Sequence, residues 1–208
     1  MFITLEGPDG SGKTRQVQPT ADFLASKGYR VFTAREPGGT SIGDQVRDIL
    51  MAMKNTSMHP RAETLLFCAA RAQLVEEVIK PHLAAGEVVL LDRYADSTLA
   101  YQGYGHQHDL SLIRKVLDFA TSGLVPDLTL LLDIDPQAGL TRRQQGGGEW
   151  NRLDAYQLAY HQRVRLGYLE MAKQDPVRWK VVDASQPTDM VQSQIQKILV
   201  LFLSNLSK

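Results

Sequence analysis

The run Gly7-Pro8-Asp9-Gly10-Ser11-Gly12-Lys13-Thr14 holds three glycines, a lysine and two hydroxyls and fits the spacing G-x-x-x-x-G-K-[ST]. Glycines let a backbone turn with its N–H groups aimed inward, which makes an anion nest at the start of the following helix. In such a nest Lys13 reaches the β- and γ-phosphates of a nucleotide and the Thr14 hydroxyl holds Mg²⁺. Taken in isolation the run is a glycine-rich turn that opens a helix. An apolar strand reading precedes it and a helical period follows it, and that context favours the phosphate cradle.

Other residues offer a second set of chemical groups. Arg35-Glu36-Pro37-Gly38-Gly39-Thr40 is by itself a tight turn, and Asp92-Arg93-Tyr94 by itself a surface ion pair. Placed after strands, both fall at the carboxyl edge of a sheet, where open α/β folds bind ligands. Phe67 and Arg71 stand four residues apart, so one helix face carries both. A buried core phenylalanine with a solvated arginine fits that spacing, and a pocket for a planar base fits it equally well. Arg47 reads as a solvated helix charge and Tyr101 as core filler. Arg142, Arg143 and Arg152 flank Gln144-Gln145-Gly146-Gly147-Gly148, either as a mobile lid or as an arginine-rich loop with no catalytic contact.

The elements that must position these groups alternate. Strands read at Phe2–Glu6, 30–34, 87–91, Leu128–Asp133 and, more weakly, 180–183. Helices read at about 14–25, 42–53, 62–83 and 190–203, with a short one after Tyr94 that carries Ser97, Thr98, Tyr101 and Gln102. Pro81 is expected to kink or shorten the helix at 62–83. This alternation predicts an α/β fold with a parallel five-stranded sheet flanked by helices and right-handed crossovers. No repeat or long linker appears, so residues 1–208 read as a single domain with a lid near 142–154.

The bulk composition is that of a globular protein. The 208 residues are 22% charged and 43% hydrophobic, with a formal net charge of zero. That balance gives no global attraction for nucleic acid or an acidic membrane, so phosphate affinity must come from local cations. Cys68 lies alone in an apolar run and reads as a small buried hydrophobe. No secretory signal or membrane-spanning stretch is legible, and a cytoplasmic protein is expected. No Asn-Lys-x-Asp motif marks a GTPase and no Leu-Ser-Gly-Gly-Gln run marks a transporter ATPase.

In order along the chain, the phosphate loop, Arg35–Thr40, Leu65-Leu66-Phe67-Cys68-Ala69-Ala70-Arg71 and Asp92-Arg93-Tyr94-Ala95-Asp96-Ser97 resemble the bacterial thymidylate kinases. The likeness extends through Pro126–Thr129 and Asp183–Pro187. It implies a P-loop nucleoside monophosphate kinase-like fold that transfers the γ-phosphoryl of ATP to dTMP, with Mg²⁺, as a homodimer.

By the same resemblance, Gly7, Asp9, Gly10, Ser11, Gly12, Lys13 and Thr14 hold ATP, with Arg142 against its adenine and Thr14 and Asp92 at the metal. Arg47 and Arg93 would clamp the dTMP phosphate, Phe67 would stack on thymine, and Arg71 would bond the carbonyl edge of the base. Thr98 and Gln102 would hold the nucleoside, Tyr101 would crowd the 2′ position, and Glu36-Pro37 would be cis. Asp9 is expected near the acceptor sugar or the metal's water shell, and Asp92 is expected to orient Arg93 or a metal-bound water.

Lys13, Arg93, Asp9, Arg143 and Arg152 form the expected catalytic set. One class of the family has a basic residue inside the loop; Gly10 places this chain with the class that draws an arginine from the lid. The chain departs from that class at Gln144–Gly147 and at Asn151-Arg152-Leu153-Asp154, which leaves the lid cation unassigned among the three arginines. Two alternatives stay open: another nucleoside monophosphate or deoxynucleoside kinase, and a nucleotide-dependent binding switch.

Overall fold

The structure is a computed structural model that describes residues 1–146 and 150–206. Its strands β1 (Phe2–Glu6), β2 (Val31–Arg35), β3 (Val88–Asp92), β4 (Leu128–Asp133) and β5 (Trp179–Asp183) form one sheet in the order β2-β3-β1-β4-β5. All its pairings are parallel. The three central strands are apolar runs because helices cover both faces of the sheet. The register puts Leu5 and Arg35 beside Asp92. The residues that follow those strands therefore emerge side by side at one carboxyl edge.

On one face Ile3, Leu5, Leu90, Leu130 and Leu132 pack under α1 (Lys13–Ser26) and α9 (Thr188–Leu206), against Leu24, Ile195 and Leu199. On the other face, Phe2, Val89 and Leu91 meet Leu74 and Tyr94, while Leu131 meets Ile113, Tyr168 and Trp179. Leu90 is fully buried, and its replacement by alanine is expected to cost about 2–5 kcal/mol.

Helix α2 (Ser41–Met51) starts at Thr40, whose hydroxyl accepts from the Gly43 N–H at 2.9 Å. The helix read at 62–83 is α3 (Pro60–Leu74), a π-helical stretch Val75–Ile79 and α4 (Lys80–Ala84) in continuous succession. Widening the turn before Pro81 lets the helix pass a residue that has no N–H and would crowd an ordinary turn. A second π-helical stretch, Leu99–Gly105, continues α5 (Ala95–Thr98) and carries Tyr101 and Gln102.

Three helices lie outside the sequence reading. For α6 (Leu110–Thr121) the signal was present: Asp109 accepts from the Ser111 N–H at 2.8 Å, and Ser122 and Gly123 end the helix at φ 51° and 70°. Helix α7 (Pro136–Gln145) has the Asp-Pro start of a capped helix. Helix α8 (Leu158–Gln174) buries one face, with Tyr160, Val164, Tyr168 and Met171, but that face also holds His161 and Gly167 while Leu166 is exposed, so its apolar period is weak. Gln144 and Gln145, read as part of a flexible segment, are the last residues of α7. Gly147 and Gly148 lie outside the described residues. Cys68 is buried, as expected.

Candidate active site

The turn after β1 is the floor of a cavity of about 670 Å³ at the carboxyl edge of the sheet. Gly7 passes so close to β4 that a β-carbon there would lie 2.4 Å from the Leu132 carbonyl oxygen. Lys13 is buried and donates to the carbonyls of Gly7 and Pro8, both at 2.8 Å, and to Ser11 Oγ at 3.2 Å. Burial first, and the nearby Arg93 cation second, push its pKa down to about 8. The Thr14 hydroxyl donates to Asp92 Oδ2 at 2.6 Å. Two hard oxygen donors therefore stand together beside the loop.

Arg93 opens the loop after β3 in a left-handed conformation, φ 72°. Its guanidinium donates to Asp9 Oδ1 at 2.7 Å, the Tyr101 hydroxyl at 2.9 Å, Ser97 Oγ at 3.1 Å and the Tyr168 hydroxyl at 3.2 Å. It also lies over the Tyr101 ring, 4.8 Å from the centroid. Asp9 accepts a second bond from the Tyr101 hydroxyl at 2.7 Å. Burial opposes ionisation of Asp9, but Arg93 and Lys13 outweigh it and hold the carboxyl below its usual range. Asp9, not Asp92, orients Arg93: the Asp92 side chain is engaged by Thr14.

Glu6 supports this corner and was missed in the sequence, where it reads as the polar end of a strand. It is fully buried and accepts from the Tyr94 N–H at 2.8 Å, Ser97 Oγ at 2.6 Å and the Tyr168 hydroxyl at 2.9 Å. Burial, with Asp96 nearby, raises its pKa to about 7.

Arg47, Pro37, Phe67, Thr98, Tyr101 and Gln102 also line the cavity. Arg47 donates to the Pro37 carbonyl at 3.0 Å, and the Glu36-Pro37 bond is cis, as the resemblance implied. Two residues expected in this pocket stand behind its wall. Arg71 is 1% exposed and forks onto Glu36 Oε2 through Nε at 2.8 Å and Nη2 at 2.5 Å, with Nη1 on Thr98 Oγ1 at 2.9 Å. It is neither a solvated arginine nor a group at the cavity surface. A buried guanidinium requires a partner, and Glu36 supplies one.

The three arginines expected on a lid separate. Arg142 bonds the carbonyls of Ala184 at 2.6 Å and Ser185 at 2.8 Å, where Gln186, Pro187 and Val191 continue the cavity wall. Arg143 also lines the cavity and pairs with Asp154 at 3.1 Å. Arg152 is not brought to the cavity. It is 4% exposed, pairs with Glu63 at 2.6 Å and donates to the Leu50 carbonyl at 2.9 Å. Its expected catalytic position is thus replaced by an anchoring one, because buried Glu63 needs a counter-charge.

One cavity is thus lined by the phosphate cradle with Lys13, by Arg47 and Arg93, and by Phe67, Thr98, Tyr101 and Gln102. That geometry suits the in-line transfer of a phosphoryl group between two ligands. Comparison with known proteins agrees. The family model described as thymidylate kinase matches residues 5–195. A thymidylate kinase of Roseiflexus sp. (strain RS-1) is 48% identical, covering 100% of this chain and 97% of its own length. One from Syntrophotalea carbinolica is 48% identical over 93% of this chain and 92% of its own. The crystal structure of thymidylate kinase from Ehrlichia chaffeensis superposes with a TM-score of 0.78 at 35% identity, covering 96% of this chain and 98% of that one.

Proposed function

The chain belongs to the thymidylate kinase family, an ATP:dTMP phosphotransferase, and from that premise we propose how its own residues carry out the transfer. The observation that carries the proposal is the single chamber in which the phosphate loop faces Phe67, Arg47 and Arg93.

ATP lies with its triphosphate in the turn Gly7–Thr14 and its adenine along Arg142 and Gln186–Thr188. dTMP enters the other end, with its base on Phe67 and its phosphate against Arg47 and Arg93. Guanidinium forks suit that phosphate because they bind its oxygens in pairs and stay charged. Tyr101 stands at the sugar. Asp9, held by Arg93 and Tyr101, keeps the shared corner rigid between the two substrates.

Thr14 and Asp92 fit Mg²⁺, which takes oxygen ligands and binds through one or two protein groups plus substrate phosphates and water. Bound at this pair, Mg²⁺ would supply positive charge to offset that of the ATP phosphates. Lys13 and Arg93 supply positive charge on two sides of the transferring group, and Arg143 supplies it from α7. The acceptor is already a phosphate oxygen, so no protein base is assigned.

The chain is proposed to form a homodimer through α3 and its neighbours, where Leu65 and Phe119 are exposed. Among the described residues no helix is long and apolar enough to cross a membrane.

A coupled ADP-release assay with Mg-ATP against dTMP, dUMP, UMP, CMP, AMP and GMP tests the reading. Turnover fastest on dTMP and near background on the ribonucleotides is expected. A different preferred acceptor would overturn the pocket assignments. Slow hydrolysis indifferent to any acceptor would favour the binding switch.

A further inference from the structure

Glu63 was not among the residues picked out by sequence, yet it sits directly behind the base pocket. It is fully buried on α3 and accepts four donors. Gln102 Nε2 at 2.8 Å and His106 Nε2 at 3.1 Å meet its Oε1, and the Tyr156 hydroxyl at 3.1 Å and Arg152 Nη1 at 2.6 Å meet its Oε2. Burial favours the neutral form, but the bonds from His106 and Gln102 and the charge of Arg152 outweigh it and hold the pKa at about 2. An ionised carboxylate only accepts. An amide has one donating and one accepting end, so the nitrogen of Gln102 must face Glu63. The carbonyl oxygen is then the end left for the cavity that Gln102 lines.

We propose that Glu63 is a positioning residue for base selection: it locks the Gln102 amide so that the pocket offers an acceptor to the ring nitrogen of the base. A thymine-type base carries hydrogen on N3 and satisfies that acceptor. A cytosine-type base carries a lone pair there and sets two acceptors against each other. An unsatisfied polar pair of this kind lowers binding about tenfold to a hundredfold. The inference rests on the reading that the base stacks on Phe67. Through Arg152, the same carboxylate also fixes the segment that leads out of the lid, so one buried charge joins base reading to lid anchoring.

The test compares dTMP with 5-methyl-dCMP, which share the ring methyl and the sugar phosphate and differ at N3 and the exocyclic group. The wild type is expected to prefer dTMP by about a hundredfold or more in kcat/KM, given one reversed hydrogen bond beside a changed exocyclic contact. Glu63→Gln lets residue 63 donate, so Gln102 turns over, and the preference should narrow about tenfold through the KM of the acceptor, with the KM of ATP little changed. Equal loss on both nucleotides, leaving the ratio unchanged, overturns the proposal.

Glu63→Gln also weakens the hold on Arg152, so Gln102→Met serves as a second variant that leaves the other three partners of Glu63 in place. It should narrow the ratio as much, and adding Glu63→Gln to it should narrow the ratio no further. An unchanged ratio in Gln102→Met overturns the proposal by itself. Absence of dTMP turnover in the wild type would overturn the functional reading as well, which separates the two failures.

Discussion

Gly139 of α7 lies against Gly10 of the phosphate loop so closely that a β-carbon on Gly10 would fall 1.9 Å from the Gly139 carbonyl oxygen. The contact is reciprocal, since a β-carbon on Gly139 would fall 2.3 Å from the Asp9 carbonyl oxygen. Loop and helix thus touch backbone to backbone. A side chain at position 10 therefore has no room. The last turn of α7 carries Arg142 and Arg143, and both line the cavity.

Gly139→Ala should push α7 off the loop. The added methyl meets backbone rather than a flexible side chain, so the cost is expected to be about 1–3 kcal/mol of stability. A several-fold rise in the KM of ATP should accompany it, since loop and adenine wall no longer hold their spacing. Thermal melting with and without ATP checks both effects. Wild-type values for each would mean that the helix shifts freely and the contact carries no function.

The lid arginines should behave differently on alanine replacement. Arg143→Ala is expected to lower kcat about 10²–10³-fold, the usual effect of removing one preorganised group at a developing charge, and also to cost stability, because it leaves the buried Asp154 without its cation. Arg152→Ala should instead destabilise the fold by about 3–5 kcal/mol, because Glu63 is left buried without its cation. Paired kinetic and unfolding measurements distinguish them. A large kcat loss with intact stability for Arg152→Ala would return that residue to the catalytic set.

ATP binding should take up a proton near pH 8. Burial and Arg93 lower the pKa of Lys13 to about 8, whereas bound triphosphate favours the ammonium form. Free enzyme above pH 8 therefore carries a largely neutral Lys13 that must charge on binding, so affinity falls as pH rises through 8 to 9. Calorimetry in buffers of different ionisation enthalpy counts the protons. No uptake at pH 8.5 would refute this account of Lys13.

Glu6 should make stability fall as pH rises through neutrality. Its pKa is raised from 4.5 to about 7 in the folded chain, so the folded state holds its proton more tightly than the unfolded one. The stabilisation is complete below about pH 4.5, declines by up to about 1.4 kcal/mol per pH unit above it, and is gone above about pH 7. Glu6→Gln removes the ionisation, and its unfolding free energy should lose that slope between pH 5 and 7 relative to the wild type. Parallel pH profiles would exclude Glu6 as the group responsible.

Much of this protein is legible in its sequence because its strongest signals are local. The turn Gly7–Thr14 needs glycines at fixed positions whatever surrounds it. The apolar runs Val88–Asp92 and Leu128–Asp133 declare strands covered on both faces. The phosphate cradle and Arg93 each follow a strand and so fall at one sheet edge before any coordinates are known, whereas Arg47 and Phe67, on helices, are brought there only by the family resemblance.

What only the tertiary structure decided is which charges are spent on one another. Arg71, Arg143 and Arg152 look alike in sequence, as side chains with equal charge and reach. Burial divides them: Arg71 is committed to Glu36, Arg152 to Glu63, and Arg143 keeps its place on the cavity beside Asp154. Those pairings join residues far apart in the chain, and a buried charge is stable only where folding delivers its partner. For the same reason Glu6 and Glu63 carry no mark in the sequence: their roles come from desolvation and from donors that converge only once the sheet and helices have packed.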